Sequence, residues 1–276
     1  MTEAILKLEN GDCFYPDGTH ALKNVTLEIQ RGKKIAVLGA NGAGKSTLFL
    51  ALNGILPLKK GKLFFDGAEI TKKNMHILRT KVGIVFQDPD SQIFSADLRQ
   101  EIAFGPLNLG LDQQEVLKRV DEAMAVTDIC DLVEKATHNL SYGQKKRVAI
   151  ADILAMCPEI LILDEPLAWL DPKHAQHTVR LLHKLADQGK SIIVSTHDVN
   201  MAYAFAEYCI VLKHGEIIAK GTTEEIFSDT KLLEQADLET PWIIKVLHES
   251  GLLNKSKLPR NTDELVAYLR EMVAHA

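Results

Sequence analysis

Two stretches of this chain, about a hundred residues apart, are each suited to holding phosphate. The first is GANGAGKST, residues 39–47, which fits G-x4-G-K-[ST] from Gly39 to Ser46. Glycines let the backbone curl so that its N–H groups point inward. Those donors and the positive end of the following helix cradle the phosphates of a nucleotide. Gly39, Asn41, Gly42, Ala43, Gly44 and Thr47 are therefore candidate nucleotide contacts. Lys45 is spaced to reach the β- and γ-phosphates, and Ser46 to offer its hydroxyl to Mg²⁺. The second stretch is LSYGQ, residues 140–144, at the start of an amphipathic segment. Ser141, Gly143 and Gln144 offer a hydroxyl, a bare backbone N–H and an amide at a helix N-terminus, which is a second anion cradle. The same residues also read as a plain helix start, with Ser141 as N-cap and Gln144 closing a capping box.

Four further polar residues follow three apolar runs. ILILDEP places Asp164 and Glu165 at the end of a four-residue apolar strand. Beside phosphates a carboxylate needs a cation, so Asp164 is the candidate Mg²⁺ partner. Glu165 is the candidate general base for an attacking water; the ordinary alternative is an acidic pair that caps the next segment. Gln87 closes VGIVFQ and has the chemistry to touch both Mg²⁺ and that water. His197 closes SIIVSTH and has the chemistry to stabilise charge on a γ-phosphate. A solvated loop glutamine and a structural histidine are the competing readings. Both residues gain weight from sitting at predicted strand ends, the edge where α/β sheets bind ligands.

The elements that must position these groups are legible in the periodicity. In ALKNVTLEI the residues Val25, Leu27 and Ile29 alternate with polar ones, as in a half-buried strand. KKIAVLG, KVGIVFQ, EILILDE and SIIVSTH are unbroken apolar runs suited to strands buried on both faces. A helix after the glycine loop should stop near Gly54. Asp66-Gly67 and His214-Gly215 mark hairpins. Residues of about 90–155 look mainly helical, with Val116, Leu117, Val120, Ala123 and Met124 on one face. The helical stretch 174–189 lies between two buried strands, which implies a parallel sheet with right-handed crossovers. Thr222 and Glu225 have capping-box spacing, and Asn261 and Glu264 the same separation. The expected architecture is α/β, a phosphate-loop core with an antiparallel β subdomain and a helical subdomain at about 90–155, together over 1–235, and a small helical extension over 236–276.

Composition excludes little but is consistent. The 276 residues are 46% hydrophobic and 25% charged, with net charge −5 and a pI near 6.1. That balance gives no electrostatic reason to expect nucleic acid as a general partner. Four scattered cysteines without a CxxC pair suggest buried, reduced thiols. No run approaches the ~20 apolar residues that cross a bilayer, and no signal peptide is read at the N-terminus. The basic run Lys145, Lys146 and Arg147 reads as a solvated helix face.

In this order, Gly39–Thr47, Gln87, Leu140–Gln144, Ile160–Glu165, Leu170-Asp171 and His197 resemble the ATP-binding subunit of an ABC transporter. They match that family's Walker A, Q-loop, signature, Walker B, D-loop and switch histidine over about residues 4–235. The resemblance implies a head-to-tail dimer with ATP sandwiched between one chain's phosphate loop and the other's Ser141 cradle. Asp171 would lie at that interface. YPDGTHALKNV, QDPDSQIF, IAFGPLNLGL, LSYGQKKRVAI and the extra C-terminal helices more narrowly resemble the energy-coupling-factor ATPases, especially the cobalt/nickel type often called CbiO.

This narrower resemblance implies that Tyr15 stacks on adenine and that the segment after Gln87 forms a groove for a coupling helix of a membrane subunit. It also implies a peripheral location on the cytoplasmic face of the membrane, with a separate substrate-binding subunit. The partner ATPase is a second copy or a similar chain. Cobalt or nickel is the expected cargo, which the ATPase itself does not bind. The rival readings are a vitamin importer of the same type and a soluble ABC-type ATPase acting on nucleic acid or ribosomes. Two positions depart from the usual pattern: Tyr142 stands where the signature has glycine, and Trp169 where the D-loop has a small residue.

Overall fold

The structure, a computed structural model, describes residues 4–252 and 258–274. Strands β1 (Ala4–Phe14) and β2 (His20–Gln30) pair antiparallel. Along β2, Leu22, Val25, Leu27 and Ile29 are buried between more exposed neighbours, as the alternation requires. Strand β3 (Lys34–Leu38) leads through the glycine loop into helix α1 (Lys45–Asn53). That helix ends at Gly54, whose φ of 77° is left-handed and favours glycine. Strands β4 (Lys60–Phe65) and β5 (Ala68–Glu69) form the expected hairpin, with Asp66 and Gly67 at φ 46° and 74°. Helix α2 (Met75–Lys81) then enters β6 (Val82–Val85).

Three helices follow: α3 (Leu98–Asn108), α4 (Gln113–Thr127) and α5 (Tyr142–Ala155). Next come β7 (Ile160–Leu163), α6 (Pro172–Asp187), β8 (Ser191–Thr196) and α7 (Val199–Phe205). The hairpin β9 (Tyr208–Lys213) and β10 (Glu216–Thr222) turns at His214-Gly215. Helices α8 (Thr223–Ser228), α9 (Thr230–Gln235), α10 (Trp242–Glu249) and α11 (Thr262–Ala274) complete the chain. Both capping signals hold. Thr222 and Glu225 form a reciprocal box, and Asn261 Oδ1 accepts from the Glu264 N–H at 2.9 Å.

The strands form two sheets. One is antiparallel, in the order β2-β1-β4-β5; the other has six strands, in the order β10-β9-β3-β8-β7-β6. In the second, β9, β3, β8, β7 and β6 run parallel and β10 is an antiparallel edge. The continuous apolar runs are explained by burial on both faces. Ile35, Val37, Ile160, Ile162 and Ile193 face a core shared with α1 and the antiparallel sheet. Ala36, Leu38, Leu161, Leu163, Ile192 and Val194 face a second core built with the helices. Ile243, Ile244, Leu247, Leu265 and Tyr268 of the last two helices join that second core.

Four expectations need correction. Strand β6 stops at Val85, two residues short of Gln87. Leu117 is 50% exposed, whereas Val116, Val120, Ala123 and Met124 are buried, so the apolar stripe of α4 is narrower than read. Only Cys13 and Cys209 are buried, where burial pushes their thiols up to about 11 and about 12; Cys130 and Cys157 are exposed. The basic run on α5 is not a solvated face, because Lys146 is 1% exposed, Lys145 pairs with Asp90 and Arg147 with Asp128.

The helical region also contains a carboxyl that opposes folding at high pH. Asp152 on α5 accepts from Gln92 Nε2 at 3.1 Å and lies near Glu101. Burial, with a smaller push from Glu101, raises its pKa from the ordinary 3.8 to about 7. The folded chain therefore holds a proton that the unfolded chain has released between these two values. The resulting stability is present at acid pH and is lost as pH rises through about 7. Asp152→Asn removes that dependence. Its thermal midpoint at pH 8 should exceed that of the parent, with the gap narrowing at pH 5. Melting curves at the two pH values check this.

Candidate nucleotide site

The parallel register brings the chemistry together. Leu38 pairs with Thr196, Leu163 with Val194, and Val85 with Leu163. The segments leaving these strands therefore emerge at one edge, carrying Gly39, His197, Asp164 and Gln87 in turn. A cleft of about 790 Å³ opens there. Its walls include Asn41, Gly42, Gly44, Lys45, Ser46 and Thr47 from the phosphate loop. Gln87, Asp164, Glu165, His197 and Tyr15 line it too. Gly39 and Ala43 support the loop from behind. Gly39 has φ 148°, and a side chain there would strike the Leu212 carbonyl at 2.4 Å. Ala43 is buried and its carbonyl accepts from the Gly215 N–H. At Gly42 and Gly44 the backbone is left-handed, φ 78° and 107°, a conformation that side chains resist.

Lys45, 7% exposed, donates to the carbonyls of Gly39 at 2.8 Å and Ala40 at 3.2 Å. Burial pulls its pKa down, and the nearby Glu165 and Asp164 carboxylates oppose that pull. Ser46 donates to Asp164 Oδ2 at 2.5 Å, and Ser195 donates to Asp164 Oδ1. Ser195 Oγ also accepts from the Glu165 N–H at 2.9 Å. Glu165 is 8% exposed and sits at φ 45°, an uncommon backbone for a glutamate and one found where a site dictates it. His197 Nδ1 lies 3.1 Å from both Glu165 carboxylate oxygens, and Lys45 Nζ lies 4.0 Å from one of them.

The donor set suits Mg²⁺. Ser46 and Asp164 present adjacent oxygens, Gln87 lines the same cleft, and no sulfur or imidazole stands among these three. Among the described residues no cluster of three or more His, Cys, Asp or Glu could cage a metal alone. Mg²⁺ habitually binds one or two protein oxygens together with substrate phosphates, and Ser46 and Asp164 offer such oxygens.

The remaining candidates are placed as follows. Tyr15 Oη is 2.7 Å from Thr47 Oγ1, with the ring 38% exposed at the cleft wall. Ser141 and Gln144 form the reciprocal capping box at the start of α5, so both capping and an exposed helix N-terminus are real. A side chain at Gly143 would crowd the ring of His174 at 3.2 Å, and that ring's Nδ1 is 2.6 Å from Asp171 Oδ2. Asp171 also caps α6 by accepting from the His174 N–H. None of Ser141, Gly143, Gln144 or Asp171 lines the cleft of its own chain.

Sequence reasoning missed Ser195, Lys146 and the wall residues Ala21, His214 and Gly215. Lys146 had a signal: it stands four residues after Tyr142 and four before Ile150, inside the apolar stripe of α5. The exposed rings of Phe94 and Phe104 meet edge to face at 4.7 Å, next to the segment after Gln87.

Comparison with known proteins agrees with this geometry. A family model described as ABC transporter matches residues 22–168. The chain is 43% identical over 268 residues to the energy-coupling factor transporter ATP-binding protein EcfA of Carboxydothermus hydrogenoformans, covering 97% of this chain and 98% of that protein. It is 47% identical over 256 residues to EcfA of Methanothermobacter thermautotrophicus, covering 92% and 80%. Among solved structures, CbiO1 of Clostridium perfringens, described as part of the ABC transporter complex CbiONQ, matches with TM-score 0.75 and 43% identity over 89% of this chain and 99% of that one. An ATP-binding cassette solved as a dimer, in a post-hydrolysis state with ADP and phosphate, matches with TM-score 0.71 and 30% identity over 79% and 98%.

Proposed function

Because this chain belongs to the ATP-binding subunits of ABC transporters, of the energy-coupling-factor type, we propose that it works in a head-to-tail ATPase pair driving uptake of cobalt or nickel through separate membrane subunits. One observation carries the pairing. The chain presents a helix-start anion cradle at Ser141, Gly143 and Gln144 that lies outside its own phosphate cleft. A second chain, identical or similar, would bring its cradle to the γ-phosphate held here. The dimeric cassette at TM-score 0.71 supports that arrangement.

In this reading Lys45 neutralises the β- and γ-phosphates, and Tyr15 stacks on adenine. Ser46, Asp164 and Gln87 are the residues that would hold Mg²⁺, which when bound neutralises charge on the phosphate oxygens. Glu165 takes a proton from water as the water oxygen bonds the γ-phosphorus and the bond to the β–γ bridging oxygen breaks. His197, 3.1 Å from Glu165, holds that carboxylate toward the cleft and faces the γ-phosphate. Asp171, at the start of α6, sits where the partner would meet it.

The membrane link rests on the exposed Phe94–Phe104 pair, an apolar seat for a helix of a membrane subunit. No helix among the described residues is long and apolar enough to cross a bilayer itself. The cobalt or nickel cargo rests on the resemblance of YPDGTHALKNV, QDPDSQIF and LSYGQKKRVAI to the cobalt/nickel type, with likeness to CbiO1 in support of that branch; the vitamin alternative would recruit a different substrate-binding subunit. The tagged chain should bring down a stoichiometric multi-span protein from detergent-solubilised membranes of its host, with an accompanying substrate-binding subunit that identifies the cargo. Recovery with ribosomes or DNA-repair proteins and no membrane subunit would overturn the transporter role.

A further inference from the structure

We propose that Tyr142 and Lys146 are positioning residues that clamp the Gln87 carbonyl, locking the chain's own Q-loop to the signature cradle it offers its partner. The proposal rests on the paired-ATPase reading above and deepens it.

Tyr142 and Lys146 stand one helical turn apart on α5 and converge on a single acceptor. Tyr142 Oη donates to the Gln87 carbonyl at 2.9 Å, and Lys146 Nζ donates to the same oxygen. Lys146 also lies 3.5 Å from the carbonyls of Phe86 and Glu165. It is 1% exposed and makes no ion pair with a carboxylate among the described residues; it bonds backbone oxygens of the two segments that carry Gln87 and Glu165. A buried cation is costly unless it is hydrogen-bonded, and here the carbonyls of Phe86, Gln87 and Glu165 supply those bonds. Burial already pulls its pKa down to about 8.

Tyr142 has a second contact. Its ring meets Trp169 edge to face at 5.5 Å, and Trp169, at φ 61° and 70% exposed, lines the nucleotide cleft. The two departures from the usual motif pattern are thus one contact: an aromatic in the signature and an aromatic before Asp171. Beside it, Gly143 leaves little room for a side chain against His174, which is bonded to Asp171. Signature and D-loop, which both serve the partner's nucleotide, move as one piece. Tyr142 and Lys146 tie that piece to Gln87, which serves the chain's own nucleotide. Rotation of α5 against the 86–92 segment must break both donations to one oxygen, so neither half-site shifts alone.

Four variants test the clamp: Lys146→Met, Lys146→Arg and Tyr142→Phe in the full chain, and Lys146→Met combined with Glu165→Gln. Lys146→Met should lower kcat on the order of 10–100-fold, with KM for Mg-ATP within about threefold, because sub-ångström misplacement acts on the reacting geometry and not on nucleotide capture. Tyr142→Phe should move kcat in the same direction by roughly threefold to tenfold. Lys146→Arg, which keeps the cation, should recover most of the loss. In the Glu165→Gln background, Lys146→Met should require on the order of tenfold more protein to form the ATP-driven dimer on gel filtration.

Unchanged kcat in both Lys146→Met and Tyr142→Phe overturns the clamp, as does a loss that falls on nucleotide affinity instead of turnover. If Lys146→Met melts below assay temperature, Tyr142→Phe decides alone. If Glu165→Gln by itself stays monomeric with Mg-ATP, the paired-ATPase reading fails. If it dimerises and the clamp variants match their parents, only the clamp fails.

Discussion

Glu165→Gln should cut ATP turnover by roughly 10²–10⁴-fold, the range that a positioned general base supplies, while ATP binding survives and the ATP-loaded chain accumulates as a dimer. The substitution is nearly isosteric, and the Glu165 backbone is held independently of its charge by the N–H donation to Ser195 Oγ at 2.9 Å. The carboxylate is 8% exposed and 3.1 Å from His197 Nδ1. An amide there can still bond to the histidine but cannot take a proton from water. Hydrolysis is the step that would part the two chains, so blocking it traps the sandwich. Gel filtration with Mg-ATP reads the dimer and a phosphate-release assay reads turnover. Turnover near that of the parent removes Glu165 from the role of base; monomer alone, with turnover lost, overturns the pairing.

The second large effect is on capture of nucleotide. Lys45→Met keeps the aliphatic stem and its packing at a position 7% exposed, but removes the cation that Gly39 and Ala40 hold by their carbonyls. Loss of a charged hydrogen bond of roughly 1.5–3 kcal/mol weakens Mg-ATP binding by about tenfold to somewhat over a hundredfold. The same change removes the cation 4.0 Å from Glu165, so turnover falls further than binding does. A fluorescent-ATP titration checks the affinity. Binding equal to that of the parent would mean that the loop N–H groups do the work without the lysine.

The groups gathered at the cleft were largely legible beforehand. Gly39–Thr47, Asp164, Glu165, Gln87 and His197 all follow apolar runs. A parallel sheet buried on both faces must send those segments out at one edge, as Leu38↔Thr196 and Leu163↔Val194 show. The caps at Ser141, Thr222 and Asn261 are local chemistry, settled within four residues. Fold class, phosphate loop and helix starts are consequences of periodicity and nearest-neighbour bonding, and both are written in one dimension.

What the tertiary structure alone decided are contacts between segments far apart in the chain. Ser195 looked like one small residue in an apolar strand; across the sheet its hydroxyl bonds both Asp164 and the Glu165 backbone. Lys146 looked solvated beside Lys145 and Arg147, because charge type outweighed its place in the stripe. Only the approach of the 86–92 segment and of Glu165 supplies the carbonyls that let a cation be buried there. Tyr142 and Trp169 read as two unrelated departures until packing placed their rings 5.5 Å apart. A sequence shows which face of a helix is apolar, but what covers that face, and whether it brings an acceptor, depends on chain that returns tens of residues away.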